Sequence, residues 1–194
     1  MTPAPPPSSF PDPAGLSIVS YPHEALRAKA RPVAAVTDEV RLIAARMLEL
    51  MAEAEGIGLA APQVALPIRL FVCHVPEWED RRADTDPPEA NTEPLVFINP
   101  ELSGFSDVLE PFDEGCLSLP EIVGAVRRPT EVTVTALGLD GRPFTLRAGG
   151  LLARCIQHET DHLDGVLIID KMQQLSRMKN RRAIRDLEKM AATR

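Results

Sequence analysis

The chain has few cysteines and no long apolar run, and both shortages narrow the classes of protein to which it can belong. Its 194 residues include three cysteines, Cys73, Cys116 and Cys155. An odd number in a chain long enough to fold without covalent cross-links makes a disulfide framework unexpected, and a cytoplasmic location fits. No apolar stretch approaches the roughly 18 residues that a membrane-spanning helix needs. We therefore expect no membrane partner.

Positive charge is also in short supply. The chain has 21 Lys and Arg against 28 Asp and Glu, which gives a formal charge of −7. This balance argues against a surface fitted to DNA or another polyanion. Residues 171–194 are the exception, with 8 basic and 2 acidic side chains.

The first fifteen residues contain no Lys or Arg, which excludes a secretory signal and an Arg-rich transit peptide. They contain six prolines instead, and this composition predicts a disordered leader over residues 1–15. Residues 16–194 are predicted to form a single domain, because a chain of this length can bury roughly two-thirds of its surface in one core.

Apolar residues at helical spacing predict three helices. The first covers about residues 38–54, with Thr37 as N-cap and Gly56 as a stop signal. The second covers about residues 151–165. The third, over about residues 173–191, has apolar positions among charged ones, as in an amphipathic surface helix.

Short runs rich in β-branched residues predict strands in the middle of the chain. Ile68 to Val75 and Leu95 to Ile98 have this composition, and Leu16 to Val19 could form a further short strand. Residues 132–147 predict a hairpin that turns at Asp140-Gly141. The polar stretch from Glu77 to Glu93 is interpreted as a mobile surface loop.

The second predicted helix carries His158, Glu159 and His162. Residues four apart lie on the same helix face, so both histidines can bind one cation. Glu159 can then reach a water molecule beside the metal without being a ligand, as a general base must. Both histidines lie on an otherwise apolar stripe, where two unpartnered imidazoles would be costly to bury. These residues predict a metal-dependent hydrolase.

The third ligand decides the class of enzyme. Ile168 stands where one protease pattern requires a third histidine. Asp186 or Glu188 would give a metalloprotease with a different third ligand, but both belong to a basic segment that is typical of a surface helix. Cys116, which follows Gly115, could supply a thiolate. A structural, non-catalytic metal site is a further alternative.

A third segment, Gly56-Ile57-Gly58-Leu59-Ala60-Ala61-Pro62-Gln63, is rich in small residues that allow a backbone to pass close to a ligand. Together with Glu114-Gly115-Cys116-Leu117-Ser118 and Gln157-His158-Glu159-Thr160-Asp161-His162-Leu163-Asp164-Gly165, it closely resembles, in the same order, the three motifs of the peptide deformylase family. The resemblance runs from about Ile18 to Leu187. It implies an α+β fold in which antiparallel β-sheets pack around a central helix that carries the metal site, with a C-terminal helix.

The resemblance implies that the single catalytic domain removes the N-formyl group from the N-terminal formyl-methionine of newly made polypeptides and releases formate. It implies one divalent metal ion, with Fe²⁺ expected and Zn²⁺, Ni²⁺ or Co²⁺ possible in preparations. The implied ligands are Cys116, His158 and His162. The implied catalytic residues are Glu159, Gln63 through its side-chain amide, and Leu117 through its backbone N–H.

By the same resemblance the substrate lies as an extended strand against Ile57, Gly58 and Gly115. Its methionine side chain would enter a pocket near Ile57, Leu117, Cys155 and His158. Arg154 stands where the family can carry an apolar residue, and its aliphatic stem either forms part of the wall or points away.

Two further expectations concern charged residues. Arg128 is expected to support the site by pairing with Asp161 or with Glu114. Since enzymes of this family act on nascent chains, the basic C-terminal helix could contact ribosomal RNA, although a solvated helix face is the simpler interpretation.

Overall fold

The computed structural model describes residues 10–192, which form an α+β fold. The strands are β1 (Gly58–Ala60), β2 (Leu70–Cys73), β3 (Leu95–Ser103), β4 (Leu109–Glu114), β5 (Gly124–Pro129), β6 (Glu131–Leu137) and β7 (Pro143–Gly149). The helices are α1 (Asp38–Glu53), α2 (Gly150–Leu163), α3 (Ile168–Lys171) and α4 (Gln174–Ala192). Short 3-10 turns occur at Pro13–Gly15, Glu24–Arg27 and Ala61–Val64.

The strands form two antiparallel sheets. Five strands make the main sheet in the order β1-β2-β3-β6-β7, while β4 and β5 pair separately. Adjacent strands β2 and β3 place Phe71 against Phe97, with ring centroids 4.6 Å apart. The expectation of antiparallel sheets around a helix that carries the histidines, with a C-terminal helix, is confirmed.

The main sheet lies between α1 and α2. Successive strand side chains point to opposite faces, and in β2 Leu70 and Val72 join the apolar cluster of α1, whereas Phe71 and Cys73 join that of α2. All four residues are buried. A strand covered on both faces is continuously apolar rather than alternating, as the sequence of β2 shows.

The helix predictions are confirmed to within a few residues. The Thr37 Oγ1 accepts a hydrogen bond from the Val40 N–H at the start of α1, which is the expected N-cap. The predicted hairpin is β6 and β7, and its turn includes Gly141 with a φ of +76°. A positive φ is unstrained for glycine, which explains why this turn could be recognised.

Several strand predictions need correction. Leu16 to Val19 does not form a strand; it is held through the Val19 N–H, which donates to the Gln63 carbonyl. The strand expected over residues 68–75 is limited to β2, and the one expected over residues 95–98 extends to Ser103. Neither β1 nor the β4–β5 pair was predicted.

The stretch from Glu77 to Glu93 is a loop that is anchored to the start of α2; its mobility stays a prediction. The N–H of Gly149 donates to the Pro88 carbonyl, and the N–H of Leu152 donates to the Glu89 carbonyl. The first amides of a helix have no partners within it, so the loop satisfies two groups at this helix start.

The predicted leader falls mostly on residues 1–9, which lie outside the described residues. Of its remainder, Pro13–Gly15 forms a 3-10 turn, and Phe10 packs against the α1 cluster. The extent of a disordered leader stays a prediction. Within residues 10–192, no helix is long and apolar enough to cross a membrane.

Candidate metal centre

Three predicted metal ligands meet beneath a pocket in the molecule. His158 and His162 lie one turn apart on α2, and their Nε2 atoms are 3.2 Å apart. Cys116 follows β4, and its Sγ is 3.2 Å from the His162 Nε2. One donor atom of each residue lies within 4.8 Å of the other two. The sequence prediction of a shared site is confirmed for all three.

The donor set fits a divalent transition metal ion. The Nδ1 of His158 is 3.0 Å from the Glu114 Oε2, which assigns the ring proton to Nδ1 and leaves the Nε2 lone pair facing Cys116 and His162. Two imidazole nitrogens and a thiolate are ligands that borderline cations bind well. Lone pairs that converge in a buried place repel each other unless a cation or a proton lies between them.

Glu114 links this centre to two buried arginines. Its carboxylate accepts hydrogen bonds from the Arg128 Nε at 2.6 Å and from a terminal nitrogen of Arg154 at 2.8 Å. Burial opposes the ionisation of Glu114, but hydrogen bonds from Arg128 and His158 outweigh it and hold the pKa of this carboxyl well below its ordinary value. Glu114 is therefore an ionised carboxylate, and in this form it holds the His158 ring.

Asp161 extends the same set of charges. It accepts a hydrogen bond from Arg128 at 2.7 Å and forms an ion pair with the Lys171 Nζ at 2.8 Å. Both partners proposed for Arg128 are therefore present at once. We call the four residues Glu114, Arg128, Arg154 and Asp161 the outer network.

A pocket of about 360 Å³ opens over the metal centre. It contains every site residue that was predicted from the sequence except His162, which is 1% exposed and lies below it. Its lining residues are Glu55, Gly56, Ile57, Gly58, Gln63, Phe112, Asp113, Glu114, Gly115, Cys116, Leu117, Leu151, Arg154, Cys155, His158 and Glu159. The pocket thus joins the three sequence motifs in one place.

Glu159 is buried in this pocket without a full set of partners. Its Oε2 has no hydrogen-bond partner among the described residues. Burial raises the pKa of Glu159 to about 7, although the nearby His158 opposes this shift. A buried carboxyl with a raised pKa and a free oxygen is the kind of group that exchanges protons near neutral pH.

The glycines of the first motif make room for catalytic-site side chains. A Cβ atom at Gly58 would lie 2.7 Å from the Glu159 Cδ and 2.8 Å from the Cys155 Sγ. A Cβ atom at Gly56 would lie 2.8 Å from a methyl carbon of Leu117. Close packing against other parts of the site is thus one reason for glycine at both positions. Both glycines also line the pocket, and the expected contact with a ligand stays a prediction.

Gln63 and Leu117 offer hydrogen-bond donors beside the metal centre. The Ala60 N–H donates to the Gln63 Oε1 at 2.8 Å, which leaves the Gln63 Nε2 3.5 Å from the Cys116 Sγ. The same nitrogen is 3.3 Å from the Ser118 Oγ. The backbone N–H of Leu117 donates to no protein acceptor within residues 10–192.

The alternative ligands Asp186 and Glu188 lie on α4 and are otherwise engaged. Asp186 pairs with Arg182 at 3.8 Å, and Glu188 accepts a hydrogen bond from the Tyr21 hydroxyl at 2.9 Å. Neither belongs to the group of potential ligands around His158 and His162. A protease ligand set is not supported.

The sequence analysis missed the link between Glu114 and His158 and left Arg154 open. Arg154 lies four residues before His158, so the two share a face of α2, and this spacing was the available signal. Its guanidinium neither points away nor serves only as a stem: it binds Glu114, and the residue lines the pocket.

Comparisons with known proteins agree with this arrangement. The model of the family described as polypeptide deformylase matches residues 16–178. The peptide deformylase of Acinetobacter baumannii strain SDF is 43% identical over 92% of this chain and 98% of its own length. That of Chromohalobacter salexigens is 47% identical over 84% of this chain and 89% of its own.

Solved structures show the same similarity. The crystal structure of peptide deformylase from Ehrlichia chaffeensis has a TM-score of 0.81 and 34% identity, covering 92% of this chain and 97% of that one. A peptide deformylase structure from Plasmodium falciparum has a TM-score of 0.80 and 33% identity, covering 91% of this chain and 98% of that one.

Proposed function

We propose a deformylation mechanism for this chain, which belongs to the polypeptide deformylase family. The proposed catalytic residues are Glu159, Gln63 and Leu117. They act beside the metal site formed by Cys116, His158 and His162. As a member of this family the protein is a metal-dependent hydrolase. The substrate that we propose is the N-formyl-methionine at the start of a nascent polypeptide. The products are formate and a free amino terminus.

Glu159 is proposed as the general base and then the general acid. It removes a proton from a water molecule as the water oxygen bonds to the formyl carbon, and it returns the proton to the leaving amine as the C–N bond breaks. The buried Oε2, which has no hydrogen-bond partner among residues 10–192, supports this role. A divalent cation bound to the three ligands would lower the pKa of the water and polarise the formyl carbonyl.

Gln63 and Leu117 are proposed to stabilise the negative charge on the formyl oxygen. The orientation of the Gln63 amide supports this role, because its carbonyl oxygen is held by the Ala60 N–H and its NH₂ group lies beside Cys116. The Leu117 N–H needs an acceptor as well. Two fixed donors of this kind form an oxyanion hole.

The peptide is proposed to lie as an extended strand along Ile57, Gly58 and Gly115, with its first side chain near Cys155. All four residues line the pocket. Backbone pairing of this kind tolerates many sequences beyond the first residue, which suits an enzyme for nascent chains.

The observation that carries the proposal is the convergence of the three ligands at one place, where Cys116, His158 and Glu159 line the pocket above His162. The test is an assay of formate release from a short N-formyl-methionyl peptide, with the metal content measured on the same anaerobic sample. Fe²⁺ is the proposed physiological ion, and loading with Fe²⁺, Zn²⁺, Ni²⁺ or Co²⁺ compares the candidates. Intact peptide in a fully metallated sample would contradict the proposed function.

Contact with the ribosome is a further proposal for α4. Arg177, Arg181 and Arg185 recur every four residues, so they share a helix face, and they line a surface groove of about 430 Å³ together with Arg27. Phosphate groups of RNA bind such arginines. We also propose a cytoplasmic location, where nascent chains are made, and a single catalytic domain over residues 16–194.

Charge reversal tests the ribosome proposal. Changing Arg177, Arg181 and Arg185 to Glu should release the protein from ribosomes in a sedimentation assay. The matched control reverses the exposed Arg82, Arg142 and Arg147, for the same change in net charge. Equal sedimentation of both variants and the parent would rule the contact out.

A further inference from the structure

Two thiols to which the proposed mechanism assigns no chemistry lie together behind the pocket wall. Cys73 ends β2 and Cys155 lies on α2, and both are free thiols of the same apolar cluster. Cys73 is fully buried, whereas Cys155 is 4% exposed and lines the pocket. The pocket thus reaches the pair through Cys155.

Strand pairing brings the two thiols side by side. Cys73 lies directly opposite Gly58 in the register of β1 and β2, and opposite residues point their side chains to the same face of a sheet. This face packs against α2, and a Cβ atom at Gly58 would lie 2.8 Å from the Cys155 Sγ. The Cys155 sulfur therefore fills the space that Gly58 leaves open, next to the Cys73 side chain.

The two thiols share a hydrogen bond, and this bond together with burial raises the pKa of Cys155. Cys155 is therefore a protonated thiol in the resting protein, and its Sγ also donates to the Ile57 carbonyl at 3.3 Å. A buried, protonated thiol reacts slowly, so the pair stays reduced until an oxidant is abundant. The third thiol, Cys116, lies 3.2 Å from the His162 Nε2 in the metal centre.

We propose that Cys73 and Cys155 form a reversible thiol–disulfide pair, in which Cys73 is the resolving thiol for the oxidation of Cys155. The oxidant is a peroxide small enough to enter the pocket. Disulfides in a reducing cytoplasm are commonly transient and linked to redox chemistry. This inference goes beyond the proposed function, because it concerns a covalent modification that does not depend on the substrate.

The oxidation has two steps, and each releases one water molecule. The Cys155 sulfur attacks hydrogen peroxide, the O–O bond breaks, and the departing hydroxide takes the thiol proton, which leaves a sulfenic acid. The Cys73 sulfur then attacks the sulfenic sulfur, the S–O bond breaks, and the hydroxyl group leaves with the Cys73 proton. The two thiols lose two hydrogens and two electrons, and the peroxide is reduced.

The disulfide would change the pocket wall. Its sulfur atoms are about 2.05 Å apart, closer than two hydrogen-bonded thiols, so the Cys155 sulfur moves toward Cys73. That sulfur also loses its hydrogen, and the Ile57 carbonyl loses its S–H donor. Ile57 belongs to the segment along which the substrate is proposed to lie, and a displacement of about 1 Å in a site can lower the rate by up to about 100-fold. The oxidised protein is therefore expected to be less active.

The test treats the full-length protein with hydrogen peroxide after loading with Zn²⁺, which has no redox chemistry of its own. Peroxide is raised until Cys155 is modified, free thiols are alkylated in denaturant, and the digest is analysed by mass spectrometry without reduction. We expect a linked pair of peptides that contain Cys73 and Cys155 and have lost two hydrogens. Cys155 recovered mainly as sulfinic acid, linked to Cys116, or still free at the highest concentration that keeps the protein folded would overturn the proposal.

Cys73→Ser tests the resolving role, since serine has nearly the same size but cannot form a disulfide. Formate release by the oxidised parent should fall by about tenfold or more relative to the untreated sample and should return after dithiothreitol. In Cys73→Ser, Cys155 should proceed to the irreversible sulfinic acid, and activity should not return. Equal recovery in both proteins would contradict the resolving role. If the untreated parent releases no formate, the proposed function fails instead. Mass spectrometry of the parent then still decides, as it does if Cys73→Ser does not fold.

Discussion

The metal ligands lie between the outer network and the pocket, and these two regions differ in how many of their polar atoms have hydrogen-bond partners. In the outer network, Glu114 accepts from two arginines and from His158, and Arg128 also binds Asp161. On the pocket side, the Glu159 Oε2 lacks a partner among the described residues. Paired charges fix the ligands, and an unpaired group is available to a substrate. The difference predicts that substitutions on the two sides fail in different ways.

The largest effect is expected from Glu159→Gln. The amide has nearly the same size but cannot accept a proton, so formate release should fall by about 100- to 10,000-fold. Metal content and melting temperature should match the parent, because no ion pair is lost. Glu101→Gln, at an exposed position of β3, is the matched control. A large drop in melting temperature would show that Glu159 stabilises the fold, and it would contradict the difference between the pocket side and the outer network.

Gln63→Ala should have the next largest effect. Loss of one oxyanion donor should lower kcat by about 100- to 1,000-fold while the metal stays bound. The exposed Gln173→Ala serves as control. If the variant lost metal in proportion to activity, Gln63 would belong with the residues that hold the ligands, and the two sides would be less distinct than we propose.

Glu114→Gln should lower metal affinity and stability, the two properties that Glu159→Gln should leave unchanged. Metal affinity, measured by competition with a chelator, should weaken by about 10- to 100-fold, because the hydrogen bond that orients His158 is altered. Urea unfolding should show a loss of about 3–5 kcal/mol, since the buried Arg154 loses its carboxylate partner and the buried Arg128 keeps only Asp161. Glu131→Gln, which breaks an exposed pair with Arg147, should cost less than about 1 kcal/mol. Equal costs would refute a special role for the outer network.

The smallest effect is expected at Asp170, an exposed counterpart of Glu114. Asp170 pairs with Arg27 and accepts from the Leu167 N–H, and Asp170→Asn should cost about 1 kcal/mol. Burial opposes ionisation, but the Arg27 and Leu167 hydrogen bonds lower the pKa of Asp170. The stabilisation is therefore full above the ordinary aspartate pKa and is lost as the pH falls through the lowered one. Unfolding curves of parent and variant should converge in acid.

Local patterns explain which elements could be predicted. Helices α1, α2 and α4 follow apolar periodicity, and the β6–β7 hairpin follows a turn signal at Asp140-Gly141. Strand β4 is exposed along all but its last residue and contains Pro111, so it shows no alternating pattern. Leu16 to Val19 has a strand-like composition but joins no sheet, because strand pairing depends on distant partners.

The candidate site shows the same division between local and distant information. His158, Glu159 and His162 stand in one compact motif, and their types and spacing suggest a metal site. Cys116 was only a candidate on residue type, and the family resemblance implied it as the third ligand. The outer network joins Glu114, Arg128 and Arg154, which come from β4, β5 and α2. The pairing of Arg128 with Glu114 and Asp161 was among the expectations, whereas no spacing along the chain relates Glu114 to Arg154 or to His158. Those two contacts depend on how the strands pack against α2.

The crowding at Gly58 limits which amino-acid substitutions this protein can accept at that position during evolution. The smallest possible side chain there would collide with Glu159 and Cys155, so nearly every missense change at this position displaces the group on which turnover is proposed to depend. An inhibitor that binds along the Gly58 backbone would therefore leave few routes to resistance. A selection experiment under such an inhibitor should return escape variants at other positions, or changes in gene dosage, rather than replacements of Gly58.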